Sequence, residues 1–176
     1  SEPFPLIIGR KLADGMHIVA NPAMPTDSRV KFVAGDVFDP ALIAGLVTKG
    51  TGSIFHLAGV VSAGAERDFD LGYRVNLDGT RVVLEAARKL GSAPRVVFAS
   101  SLAAYGGDLP EVITDEQKLT PQTSYGCQKV MGELLVMDYT RKGFVDGRSL
   151  RLPTIVVRPG KPNLAASTFA SSIIRE

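Results

Sequence analysis

The sequence predicts an α/β protein built on a parallel sheet with helices packed against it. Three observations carry that class. Short apolar runs rich in Val, Ile and Phe, such as Arg95-Val96-Val97-Phe98-Ala99, recur along the 176 residues. Stretches of helical periodicity separate them, which is the alternation a parallel sheet requires. The runs end in small residues, Gly9, Ala58-Gly59 and Ser100-Ser101, at the carboxyl ends where open sheets of this class bind ligands.

Leu6-Ile7-Ile8 reads as the end of a buried strand, with Gly9 opening a turn and Arg10-Lys11-Leu12 leading out of it. A nucleotide-binding turn of this kind uses several glycines before a helix N-terminus, so that backbone N–H groups hold a pyrophosphate. Only Gly9 stands here. The next strand candidate is Met16 to Ala20, which leaves Gly9 to Gly15 as the connection. A parallel crossover takes a dozen residues or more, so either the two runs are not a parallel pair or the sequence lacks residues between them. The expectation is the second, near 9–15 and again within 21–29.

Val30 to Ala34 is the third strand candidate, followed by Gly35-Asp36-Val37. Asp39-Pro40 supplies an N-cap and a first-turn proline for a helix to about Lys49. Ser53 to Leu57 is a fourth strand ending in Ala58-Gly59, where missing side chains let backbone approach a ligand. Val60 to Asp70 reads as a loop of small residues. Asp70 to Leu90 reads as one long helix, with Leu77, Leu84 and Ala87 on one stripe and Gly91 as its stop. Arg95 to Ala99 is the fifth strand, Leu102 to Gln122 a long loop, Thr123 to Lys142 a helix, and Leu150 to Val157 a sixth strand.

The chemistry concentrates between Arg95 and Lys129. Tyr125 and Lys129 are four apart, so on a helix both leave the same face one turn apart. A phenol titrates near 10, and an adjacent ammonium favours the phenolate and lowers that value. A hydroxyl from Ser100-Ser101 at the strand end can hold a substrate hydroxyl or carbonyl while Tyr125 moves the proton, which is general acid-base catalysis. Four Tyr and eight Lys in 176 residues give about 0.2 chance occurrences of this spacing. The pair therefore gains its weight from its setting: a buried strand closing in hydroxyls, then a loop, then the helix.

Val97-Phe98-Ala99-Ser100-Ser101-Leu102-Ala103-Ala104-Tyr105-Gly106, followed by Tyr125-Gly-Cys-Gln-Lys129, resembles the extended short-chain dehydrogenase/reductase family in its epimerase/dehydratase branch. The resemblance covers nearly the whole chain. It implies a Rossmann-like doubly wound parallel sheet, here lacking parts of the first βαβ unit and of the C-terminal substrate lobe. Residues 1–160 would be the NAD(P)-binding Rossmann domain and 161–176 the start of a substrate-binding lobe. The family's catalytic hydroxyl lies four residues before the Tyr of its Tyr-Gly pair, which selects Ser101 over Ser100. Asp36 and Val37 match an Asp-hydrophobic pair at the adenine edge. His56-Leu57-Ala58-Gly59 matches a strand end beside the cofactor ribose, and Asn76-Leu-Asp-Gly79-Thr80 matches an Asn-x-x-Gly-Thr in which a buried Asn holds a helix distortion and a proton-relaying water. Pro159-Gly160 matches a turn whose backbone runs along the nicotinamide carboxamide. The cofactor implied is NAD. Asn21 stands where an acidic partner of the adenosine ribose is sought and Asp27 lies too far along, so local residues leave NADP open.

Within that branch, Gly132-Glu-Leu-Leu, Asp138-Tyr-Thr-Arg-Lys-Gly143-Phe, Leu152-Pro-Thr154-Ile-Val-Val-Arg158-Pro-Gly160-Lys-Pro-Asn163 and Ala165-Ala-Ser167-Thr-Phe169 look like the D-erythronate dehydrogenases. These oxidise the C2 hydroxyl of a four-carbon sugar acid with NAD. The resemblance makes Tyr125 the base, Ser101 its hydrogen-bond partner and Lys129 the cation at the nicotinamide ribose. A carboxylate substrate calls for arginine or a set of donors: Arg158 and Arg175 are the candidates, with Thr154, Asn163 and Ser167 as hydroxyl contacts. A nucleotide-sugar epimerase or dehydratase would share the catalytic residues. A cofactor-sensing protein without turnover is a third reading, against which the retention of Ser101, Tyr125 and Lys129 together argues.

Composition bounds these readings. Hydrophobic residues make up 45% and charged ones 22%, as in a soluble globular chain. The net charge of +2 comes from scattered basic residues, which gives no nucleic-acid footprint. A single Cys127 excludes an internal disulfide and favours a cytoplasmic setting. His17 and His56 stand apart from Cys or carboxylates at ligand spacing, so no metal site is expected. No apolar run reaches membrane-spanning length. The expected partners are a small-molecule sugar acid and a second copy of the chain in a homodimer, its contact the apolar face of the Tyr125 helix.

Overall fold

The computed structural model describes residues 4–9 and 30–154. Within them the strands form two parallel sheets. β1 (Phe4–Gly9) pairs with β2 (Val30–Ala34), Phe4 against Val30 and Gly9 against Ala34. Residues 10–29 join them, long enough for a parallel crossover. The first strand thus takes the Val30 run as its parallel partner. The expected Met16 strand, with Asn21 and Asp27, lies outside the described residues.

The second sheet holds β3 (Ser53–His56), β4 (Arg95–Ser101) and β5 (Asp146–Leu152), all parallel, with β4 in the middle. His56 lies against Phe98, and Ser101 against Leu152. The three carboxyl ends therefore share one edge. β5 starts four residues earlier than the apolar run at Leu150 indicated, because Asp146-Gly147 is strand and not turn. Gly147 is required there: a Cβ would lie 2.5 Å from the Thr140 hydroxyl and 2.6 Å from Val136.

Alternation along β4 buries Val96, Phe98 and Ser100 on one face. That face carries α4 (Gly79–Leu90) and α5 (Ser124–Arg141), and the core between them is Leu84, Ala87, Val96, Phe98, Val136 and Val145. Burying a ring such as Phe98 is worth about 1.5–3 kcal/mol. Gly132 lets α5 come down onto it, since a Cβ there would meet the Phe98 ring at 2.6 Å. A second core of Val37, Ile43, Val75, Val83 and Ala86 joins α4 to α1 (Pro40–Leu46). α1 is capped by Asp39, whose carboxylate accepts from Ala41 and Leu42. It ends earlier than the expected Lys49.

The expected helix from Asp70 to Leu90 is present with an interruption. α3 (Phe69–Tyr73) passes through a π-helical segment, Arg74–Asp78, into α4, which stops at Gly91 in the left-handed region, φ 69°. The stretch read as a loop between Val60 and Asp70 contains a short helix, α2 (Ser62–Arg67), its alanines and glutamate being helix formers. Among the described residues no helix is long and apolar enough to cross a membrane.

Candidate active site at the carboxyl ends of the strands

β4 ends by delivering Ser101, whose Oγ accepts from the Ala103 N–H (3.1 Å) and so starts a single 3₁₀ turn, Leu102–Ala104. The Ser101 hydroxyl lies close enough to Tyr125 to influence its phenol. Ser100, one residue back, is buried and its hydroxyl donates to Glu133 on α5. The two serines therefore have separate duties, with Ser101 at Tyr125.

α5 begins at Ser124 with Thr123 as its cap, the Thr hydroxyl accepting from Gly126 N–H at 3.0 Å. Gly126 has no room for a side chain, because a Cβ would lie 2.1 Å from the Ala103 carbonyl oxygen. That close approach seats Tyr125 against the turn carrying Ser101. One helical turn on, Lys129 is buried, and its Nζ donates to the Ala99 carbonyl (2.7 Å). The ammonium lies 4.9 Å from the Phe98 ring centroid and 5.6 Å from that of Tyr125.

Burial governs the titration of both groups. Desolvation brings the Lys129 ammonium down to about 8, because a low-dielectric site disfavours its charge. The same effect pushes the Tyr125 phenol up, opposed in part by the Ser101 hydroxyl. In the unliganded protein burial is the largest influence on the Tyr125 phenol.

Asn76 lies in the π segment, 1% exposed. Its Oδ1 accepts from Val60 N–H (2.7 Å), and its Nδ2 donates to the Val60 carbonyl (3.0 Å) and to Gln128 Oε1 (2.7 Å). The side chain thus ties the loop after β3 to α5, the helix of Tyr125 and Lys129. Gly59 stands beside this clamp: a Cβ there would be 3.2 Å from Asn76 Oδ1 and 3.4 Å from Lys129 Nζ. His56 is a core residue, its Nε2 paired with the Thr80 hydroxyl at 2.8 Å. Burial and the nearby Lys129 charge lower it to about 3, so the ring is neutral.

Leu57 and Gly59 are exposed at the end of β3 and Ala58 is half-buried. Gly9 ends β1 beside Ala34, and Asp36 follows β2. The Val37 side chain is buried in the core at Gly79. Thr154 is exposed just beyond β5. Arg158, Pro159, Asn163, Ser167 and Arg175 lie outside the described residues. The donor set fits a dinucleotide ribose: Lys129 has N–H donors beyond the one used on Ala99, next to backbone stripped of side chain at Gly59.

Sequence reasoning missed four participants. Gln128 holds Asn76, and Glu133, Arg151 and Tyr105 form a network below Ser101. Tyr125, Lys129 and Glu133 recur every four residues, and that continuation of one helical stripe was the available signal for Glu133.

Comparison with known proteins agrees with this geometry. The model of the "NAD dependent epimerase/dehydratase family" matches residues 10–176. The chain is 63% identical over 150 residues to a D-erythronate dehydrogenase of Cupriavidus necator, covering 85% of this chain and 46% of that protein. It is 53% identical over 159 residues to a D-erythronate dehydrogenase of Haemophilus influenzae, covering 90% and 50%. A solved structure described as a nucleoside-diphosphate-sugar epimerase from Agrobacterium tumefaciens superposes with a TM-score of 0.80 at 52% identity, over 90% of this chain and 47% of that one. The chain thus spans about half the length of the curated relatives it matches. With this match over most of its length and a Rossmann-like parallel sheet presenting Ser101, Tyr125 and Lys129 together, the chain belongs to the NAD dependent epimerase/dehydratase family.

Proposed function

We propose that this chain is the cofactor-binding part of an NAD-dependent cytoplasmic dehydrogenase that oxidises the C2 hydroxyl of a small sugar acid such as D-erythronate. The observation that carries the reading is the placement of the Lys129 ammonium one turn from Tyr125, 5.6 Å from its ring centroid, at the carboxyl end of the strand that ends in Ser101. Two relatives named D-erythronate dehydrogenase, at 63% and 53% identity, support the substrate class.

Each residue has a defined task. Ser101 orients the substrate hydroxyl by hydrogen bond, and Tyr125 Oη takes its proton as the carbonyl forms. Lys129, held by Ala99, offers its remaining N–H donors to the nicotinamide ribose. Gly59 gives that ribose a close backbone floor, which Asn76 fixes through Val60. NAD, when bound, accepts the hydride from C2 and so carries the redox half of the reaction. Gly9, Asp36, Val37, Leu57 and Ala58 complete the cofactor contacts together with Pro159, while Thr154, Arg158, Asn163, Ser167 and Arg175 serve the substrate. In this reading residues 1–160 are the NAD(P)-binding domain and 161–176 open the substrate lobe.

The test is NADH formation by the full-length protein on D-erythronate beside other sugar acids and nucleotide sugars. Turnover on D-erythronate is expected. A nucleotide-sugar epimerase is the second reading, favoured by the description of the Agrobacterium tumefaciens structure, and turnover confined to nucleotide sugars would replace the first reading with it. The protein is proposed to work as a homodimer, α5 exposing Leu134 and Met137. Light scattering that gives only the monomer mass would remove that part.

A further inference from the structure

Ser101 is one residue of a short stretch, Ser100 to Tyr105, that leaves β4 and turns into the long loop. Both ends of this stretch are held by the same ion pair. Glu133 on α5 accepts from the Ser100 hydroxyl and receives Arg151 of β5 in a bidentate contact, with Nε at 3.1 Å from both carboxylate oxygens and Nη2 at 2.8 Å from Oε2. Arg151 Nη1 in turn donates to the Tyr105 hydroxyl at 2.6 Å, and the guanidinium lies 5.2 Å from the Tyr105 ring centroid. The carboxylate side chain is 10% exposed and the guanidinium side chain 23%.

We propose that the Glu133–Arg151 pair is a positioning device that grips both ends of the Ser100–Tyr105 stretch and thereby sets the alignment of Ser101 with Tyr125. Glu133 also lies on the stripe of Tyr125 and Lys129, so the same carboxylate fixes the catalytic helix against the strand that carries the hydroxyl. A buried pair often stabilises no more than apolar residues of equal volume would, while loss of one partner leaves an uncompensated charge. What the pair adds is geometry: two directions of hydrogen bonding from one planar guanidinium.

For its effect on turnover the inference rests on the dehydrogenase reading, so the experiment has two readouts. In the full-length protein the paired replacement Glu133→Leu with Arg151→Met removes the grip and keeps side-chain volume, while Ser100→Ala and Tyr105→Phe each remove one end of it. The expected result for the paired variant is kcat lower on the order of 10²-fold, with KM for NAD near the wild-type value. The single variants should show smaller losses in kcat of the same kind. Amide hydrogen exchange should become faster across Ser100–Tyr105 and remain unchanged in α4. Wild-type kcat in a folded paired variant would overturn the inference alone. Absence of wild-type turnover would overturn the dehydrogenase reading, and the exchange pattern would then decide: local loosening supports the grip, and unchanged exchange refutes it. Should the paired variant not fold, the two single variants carry both readouts.

Discussion

At Tyr125 the phenol is buried enough that its titration moves up despite the Ser101 hydroxyl, so at neutral pH it is protonated in the free protein. Turnover should therefore rise with pH into the alkaline range, as the phenolate fraction grows. Tyr125→Phe removes the proton acceptor and little else. Turnover should fall by about 10²–10⁴-fold while NAD affinity, measured by titration, stays close to that of the wild type. His56 shows the same burial acting on stability. Its folded value of about 3 lies below the ordinary 6.5, so between these values the unfolded chain binds more protons than the folded one. Stability contributed by neutral His56 is complete above pH 6.5 and is lost as pH falls towards 3, up to a few kcal/mol. Urea midpoints at roughly pH 7 and roughly pH 4 should drop less for His56→Gln than for the wild type. Equal drops would refute this account of the ring.

Among the elements, α5 is placed by contacts that tolerate no side chain. Gly126 meets the Ala103 carbonyl and Gly132 the Phe98 ring. Gly126→Ala would push the helix start away from the 3₁₀ turn and should cost about 1–3 kcal/mol, visible as a lower Tm. Backbone at Ala103 cannot move aside as a side-chain tip would. In the π segment, Asn76→Ala leaves the Val60 amide and carbonyl without their partner and should destabilise by about 1–3 kcal/mol, with weaker NAD binding because the Gly59 floor loosens. Wild-type NAD affinity in that variant would contradict the clamp. β2, β3, β4, the Asp39 cap of α1 and the Tyr125–Lys129 stripe were legible because each follows a local period or a local cap. The π segment was foreshadowed only by the Asn76 motif. The Gln128, Glu133, Arg151 and Tyr105 contacts were not legible, since they join residues 18 to 52 positions apart and no local pattern specifies such pairs.

Across the whole molecule, three parallel strands bring His56, Ser101 and Leu152 to one edge, and the helices on one face bring Asn76, Tyr125 and Lys129 to the same place. This is the edge at which sheets of this class bind nucleotides. The chain covers about half the length of its curated relatives, so the proposed reaction is to be tested on the full-length protein. The most direct measurement supplies that protein with NAD and D-erythronate carrying deuterium at C2, and weighs the reduced cofactor by mass spectrometry. Oxidation at C2 predicts a reduced cofactor carrying the deuterium. Reduced cofactor without deuterium would place the oxidation at another carbon, and no reduced cofactor at all would contradict the dehydrogenase reading.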